Sequence, residues 1–275
     1  GRAIREACLE AVAMHAKNTP MAGLWYGMPY RDSVSSYTGN RFWDEVAVWR
    51  YLDTIRKAGI ATYFWSNWQD EPTAQSILSA ANLKGSKFLA GPGGHCVPPP
   101  DFDFQGEIIR WFDYHLKGID NGIMREPRAT YHVMGEGWVR SNTLPGASGK
   151  RISWFLGGGK SGTARSINDG MLLPGRARPQ TDRFTVDYTL PPADYFAFWA
   201  QPMDDKGLSY TTAPLATPLR LVGYPVVRLT VSADKPDANV FAYLDQVGPD
   251  GKSEGISFGR LALSHRKPGK APFNT

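Results

Sequence analysis

Asp70 and His95 are the two residues whose types and positions point most directly to chemistry. Asp70 closes the segment Ser66-Asn67-Trp68-Gln69-Asp70, which follows the apolar run Ile60-Ala61-Thr62-Tyr63-Phe64-Trp65. His95 closes Gly91-Pro92-Gly93-Gly94-His95, which follows Lys87-Phe88-Leu89-Ala90. Short continuous apolar runs of this kind suit strands buried on both faces of a parallel sheet. Open sheets with helical crossovers place their sites outside the carboxyl ends of the strands. An acid and a histidine on loops after successive strands are therefore poised to meet. Such a histidine takes a proton from a nucleophile and returns it to a leaving group. The carboxylate fixes its tautomer and stabilises the imidazolium. Alone, each residue has an ordinary reading, the acid as a helix cap and the histidine as a solvated loop residue.

Other candidates are weaker. Gly251-Lys252-Ser253-Glu254-Gly255 fits the G-x-S-x-G pattern. That motif needs a strand–turn–helix context, whereas here it lies in a polar loop between strand-like runs and after the histidine. Gly157-Gly158-Gly159-Lys160-Ser161 resembles a phosphate loop, but Trp154 stands where the motif needs its first glycine. A glycine-rich β turn is the better reading. His115 and His132 have no second ligand at metal spacing, so no metal site and no cofactor are expected. Among the aromatics, Tyr63 and Trp65 read as core. Trp68 lies two residues before Asp70 and is expected to face a substrate pocket.

The elements that must position these residues fall into two halves. Residues 2–18 form a helix with Leu9, Val12, Ala13 and Ala16 on one face. Residues 20–40 are rich in Gly, Pro, Ser and Tyr and read as irregular. Residues 44–57 form a second helix, with Gly59 following it as C′. Pro72 opens a helix that runs to about Asn82. Residues 107–117 form a strongly periodic helix closed by Gly118. Strands alternating with helices imply a parallel sheet. After Pro127 the helices stop, and strand-like runs follow at 129–134, 151–156, 183–188, 219–232, 240–247 and 256–265. Pro249-Asp250-Gly251 supplies turn chemistry between the last two. This half reads as an all-β sandwich of jelly-roll type.

Composition narrows the class. Hydrophobic residues make up 42% and charged residues 21%, the balance of an ordinary globular chain. No apolar run approaches the roughly 20 residues of a membrane-spanning helix, so no membrane partner is expected. The net charge is +5, but the basic residues are scattered among 26 acids rather than gathered on one stripe, so no nucleic-acid partner is expected either. Two cysteines, Cys8 and Cys96, are too few for a cysteine-rich scaffold. Eight of the nine tryptophans fall by residue 154, where they fill a core or line an apolar pocket. Oligomeric state, including a homo-oligomer, is left open.

The order Asp then His matches the second and third members of the α/β-hydrolase triad. Asn67-Trp68-Gln69-Asp70 and Gly91-Pro92-Gly93-Gly94-His95 resemble the catalytic segments of the cocaine-esterase/X-prolyl dipeptidyl acyl-aminopeptidase (CocE/NonD) family. The run Arg110-Trp111-Phe112-Asp113-Tyr114-His115-Leu116-Lys117-Gly118-Ile119-Asp120-Asn121-Gly122 is similar to its most recognisable stretch. Glu126-Pro127 through Gly135, residues 207–215 and residues 259–266 resemble segments of its β domain. The resemblance covers nearly the whole chain. It implies a cap helix and connecting segment at 1–40, the C-terminal part of an α/β-hydrolase core at 41–128, and an incomplete jelly roll at 129–275. It further implies that Asp70 orients His95 in a serine hydrolase of esters or amides. The nucleophilic serine would then lie upstream of residue 1, on a serine-bearing segment or chain that is this chain's partner, and the chain alone would be inactive. Two rival readings are a non-catalytic binding module built on the jelly roll and a hydrolase with its nucleophile inside this chain.

Overall fold

The computed structural model describes residues 2–163, 166–189 and 203–267, which divide into two units, 1–60 and 61–275. In the first unit α1 (Arg2–His15) forms where periodicity expects it, and none of its residues is buried. A short helix α2 (Met21–Tyr26) lies inside the stretch expected to be irregular. Pro20 before it and the Gly27 N–H, which donates to the Gly23 carbonyl, confine it to a turn and a half. The single helix expected at 44–57 is instead three pieces: α3 (Phe42–Glu45), a 3-10 turn (Val48–Tyr51) and α4 (Leu52–Lys57). Ala47 between them is extended. The Tyr51 hydroxyl donates to the Glu45 carbonyl at 2.6 Å, satisfying a group that a continuous helix would have bonded internally. Gly59 takes a left-handed φ of 64°, as a C′ residue does.

The second unit is built on a four-stranded sheet in the order β1 (Tyr63–Asn67), β2 (Lys87–Gly91), β3 (Ala129–Val133), β4 (Gly137–Ser141). The first three strands run parallel, and β4 returns antiparallel to β3. Residues 129–133, read from the sequence as the first strand of the β half, thus extend the first sheet. Periodicity cannot tell these alternatives apart, because it encodes a strand but not its partner. All five residues of β2 are buried, the burial expected of a central parallel strand. Its Phe88 and Ala90 pack with Ile77 and Ala80 of α5 (Thr73–Asn82) and with Ala129 and Tyr131 of β3. Helix α6 (Phe104–Lys117) begins three residues before the expected start, because the Asp103 carboxylate accepts from the Gly106 N–H at 2.9 Å and caps it. It ends at Gly118 in the left-handed region.

Gly91, at the end of β2, must be a glycine for reasons of space. A Cβ there would lie 2.6 Å from Pro99 Cβ and 3.0 Å from the Trp138 ring. Gly91→Ala is expected to lower stability by about 1–3 kcal/mol through overpacking, read as a lower urea midpoint with unchanged slope. An unchanged midpoint would mean that Pro99 moves aside without cost.

Downstream, β5 (Phe155–Gly157), β6 (Asn168–Leu173) and β7 (Leu208–Thr211) form one sheet. A hairpin of β8 (Asn239–Val247) and β9 (Ser253–Ala262) forms another. Residues 248–252 close that hairpin as expected, with the Gly248 N–H donating to Lys252 O and Gly251 at φ 75°. The runs at 183–188 and 219–232, expected to be strands, form none, and 151–156 yields only the short β5. A complete jelly roll is therefore not formed among the described residues. The cause is visible at Val227, Leu229 and Val231, which are 59%, 50% and 47% exposed. Period-two patterning makes a strand only when one face has something to cover it and an edge has a partner to pair with. Residues 164–165, 190–202 and 268–275, within the expected β half, lie outside the described residues.

Candidate active site

Parallel pairing of β1 with β2 brings the two loops together. The ladder continues past both strands: the Trp68 N–H donates to Gly91 O at 2.9 Å and the Gln69 N–H to Gly93 O at 3.1 Å. Asp70 follows directly, at the start of the turn into α5. Its loop is closed by Thr73, whose hydroxyl donates to Asp70 O at 3.0 Å and also contacts Asn67 O. On the other loop, His95 turns its Nδ1 to Asp70 Oδ1 at 2.9 Å. The Asp70 side chain is 8% exposed and that of His95 45%.

The two residues singled out in the sequence therefore meet in hydrogen-bond geometry, and two others join them. Glu71 Oε2 lies 3.1 Å from the same His95 Nδ1. Cys96 Sγ lies 3.4 Å from His95 Nε2, on a residue with a left-handed φ of 56°. Neither was expected to contribute. Their only sequence signal is adjacency to Asp70 and His95, and adjacency does not encode which way a loop side chain turns.

Electrostatics favour a charged acid beside a basic histidine. Desolvation is the largest influence on Asp70 and would raise its pKa. Hydrogen bonds involving Glu71 and His95 outweigh it and hold the carboxyl below its usual range. The hydrogen bond to Asp70 is the chief reason that the His95 imidazole is held above its ordinary value, with Glu71 adding to it. Such a pair fixes the proton on Nδ1 and leaves Nε2 as the basic nitrogen, the arrangement a general base requires.

One ligand atom from each of Asp70, Glu71 and His95 lies within 4.8 Å of the others, close enough to share a cation. A cation there would take the Nδ1 that Asp70 orients, so metal binding and general-base catalysis exclude one another at this spot. If the histidine works as a base, EDTA leaves hydrolysis unchanged and added Zn²⁺ inhibits it. Loss of activity on chelation, restored by metal, would reverse the assignment.

Trp68 does not join this group. Its indole N–H donates to His132 O at 2.7 Å, and its ring packs on the cluster around Phe88. The half-buried ring thus has a packing role through β3, and a place for it against substrate stays a proposal. Tyr63 and Trp65 sit against α6, with Tyr63 donating to Glu107 Oε1 at 2.8 Å and the Trp65 ring 4.2 Å from Phe104. The His115 ring lies tilted against Trp111, and the His132 ring meets Trp138 edge-on. Ser253 opens β9 and pairs with Val247, which is not an elbow. Ser161, at the end of the glycine run, donates its N–H to Asp169 Oδ1 at 3.1 Å, closing a turn that leads to β6 with no helix between them among the described residues.

Comparison with known proteins adds a family. Residues 121–271 match the model of the X-Pro dipeptidyl-peptidase C-terminal non-catalytic domain, a β-sandwich type. A Mycobacterium bovis protein that carries the name serine esterase is 30% identical over 251 residues, covering 81% of this chain and 38% of that relative. A Streptomyces avermitilis protein named as a Xaa-Pro dipeptidyl-peptidase is 33% identical over 179 residues, covering 62% and 25%. The cocaine esterase of Rhodococcus sp. is 22% identical over 301 residues, covering 95% and 51%. The chain thus spans 38% of the mycobacterial relative's length. A match over 81% of the chain is longer than the 121–271 segment, so the likeness takes in residues upstream of it. Asp70 and His95 are upstream residues.

Proposed function

This chain belongs to the cocaine-esterase/X-prolyl dipeptidyl-peptidase (CocE/NonD) family of hydrolases, and from that premise we propose that it carries the acid and histidine of a serine hydrolase's catalytic triad. The observation that carries this reading is the 2.9 Å contact between His95 Nδ1 and Asp70 Oδ1 on loops past the carboxyl ends of adjacent parallel strands. We read β1–β3 with α5 and α6 as the C-terminal part of an α/β-hydrolase core. The non-catalytic description applies to residues 121–271 and leaves the upstream pair untouched.

In this mechanism a serine from outside these residues attacks the acyl carbon of a small ester or amide. His95 Nε2 takes the hydroxyl proton as the bond to carbon forms, while Asp70 stabilises the imidazolium. The same proton passes to the departing alcohol or amine as the tetrahedral intermediate collapses to the acyl-enzyme. Water, deprotonated by His95 in turn, releases the acid and regenerates the serine. Donors supplied with the serine stabilise the oxyanion.

Labelling of the full-length polypeptide with a fluorophosphonate tests this. The label is expected on one serine outside residues 1–275, and His95→Ala should abolish it. A label on Ser253 or Cys96, or hydrolysis without any label, would sink the assignment.

The raised pKa of His95 gives a pH signature. Imidazole must be neutral to accept a proton, so activity is present above the His95 pKa and lost below it. The acid limb of kcat/KM is therefore expected above the ordinary histidine value of about 6.5. Asp70→Asn should move the limb down, and Glu71→Gln should move it down by less. A limb unmoved by either substitution would show that another group titrates.

A further inference from the structure

We propose that Asn67 is a positioning residue of this site, clamping the His95 loop onto the end of β1 so that the imidazole meets Asp70. This rests on the hydrolase reading above and deepens it.

Asn67 is the last residue of β1 and 0% exposed. Its Nδ2 donates to Gly94 O at 2.8 Å and to Val97 O at 2.7 Å. These carbonyls flank His95 and Cys96, so one amide holds both ends of the tight turn that presents the imidazole. The next backbone bond across it, from Val97 N–H to Gly94 O, is a long 3.5 Å, and His95, Cys96 and Val97 are all exposed.

The same residue anchors the acid loop, since its backbone oxygen receives the Thr73 hydroxyl that also binds Asp70 O. Asn67 thus stands between the two loops that must be in register for the 2.9 Å contact. Among the described residues its own Oδ1 is buried without a partner. A buried unpaired acceptor is costly, and rotating the amide would set oxygen against two carbonyls. Packing alone would be served better by an apolar side chain. The two donated bonds are what the asparagine provides.

A small displacement of a catalytic base costs rate rather than binding. In the full-length protein, Asn67→Ala is expected to lower kcat by about 100-fold with KM within about threefold. The acid limb of kcat/KM should also move down, because a released His95 no longer keeps Asp70. Asn67→Ser, which retains one donor, should recover part of both effects. Near-ultraviolet circular dichroism and the urea midpoint establish that each variant is folded.

A folded Asn67→Ala enzyme with near-wild-type kcat and an unmoved acid limb would overturn the proposal. So would a loss confined to KM. Failure of both variants to fold would also overturn it, making Asn67 a determinant of folding rather than of position. His95→Ala, measured in parallel, separates the two levels. If it stays active, the hydrolase reading itself fails. If it is inactive while Asn67→Ala behaves as wild type, only the role of Asn67 falls.

Discussion

Replacing His95 with alanine in the full-length protein is expected to lower kcat by about 10⁴-fold or more, with KM little changed. Removing the base of a serine triad disables the unit, and what survives comes from the oxyanion donors and substrate binding. Asp70→Asn should cost about 10⁴-fold as well, for a different reason. The asparagine keeps the shape but presents an amide to Nδ1, which permits the wrong tautomer. Glu71, 3.1 Å from that nitrogen, is placed to substitute in part, so Asp70→Asn combined with Glu71→Gln should be slower than Asp70→Asn alone. Steady-state kinetics on a p-nitrophenyl ester would read all three. Activity within tenfold of wild type in His95→Ala would remove this histidine from the chemistry. Equal rates for Asp70→Asn with and without Glu71 would remove the glutamate from it.

Phe88→Ala is the substitution expected to cost most stability. Phe88, the second residue of β2, is 0% exposed and packs in one cluster with Ile77, Ala80, Ala90, Ala129 and Tyr131. Phenylalanine-to-alanine changes in such a setting cost about 3–5 kcal/mol, combining lost transfer energy with the cavity left behind. Domains are stable by only about 5–15 kcal/mol, so the urea midpoint should fall by about a fifth or more. Because β2 ends in the loop that carries His95, the fluorophosphonate label should be lost over the same denaturant range as structure. A drop equivalent to less than about 1 kcal/mol would mean that this sheet is not the core of its unit.

The site was legible in the sequence to the extent that its residues follow strongly marked elements. Lys87-Phe88-Leu89-Ala90 is apolar and bounded by glycines, and β2 forms there with all of its residues buried. The helix over 107–117 shows a clear period and a stop at Gly118, and α6 ends at that glycine. With both strands located, Asp70 and His95 had to lie on loops at one end of a parallel pair. Glu71, Cys96 and Asn67 were not legible as contributors. Their roles depend on loop geometry: a left-handed φ at Cys96, and an amide reaching across to Gly94 and Val97. Trp68 carries a contact that the sequence does not show, because its distance from Asp70 along the chain says nothing of the His132 carbonyl, 64 residues away, that takes its N–H.

The β half shows the same division. The hairpin of β8 and β9 is local, joined by turn residues at 248–252, and it forms close to where patterning expects it. The alternating run at 219–232 carries an equally good strand pattern and forms no strand. The sequence by itself determined which segments have the period, caps and turns of helices and strands, since those signals are complete within about ten residues. Only the tertiary structure decided which strand pairs with which, that β3 joins the first sheet, and that an acid and a histidine 25 residues apart meet at 2.9 Å. A strand's partner and a loop's direction are settled by hydrogen bonds and packing between residues distant in the chain, and no local pattern encodes them.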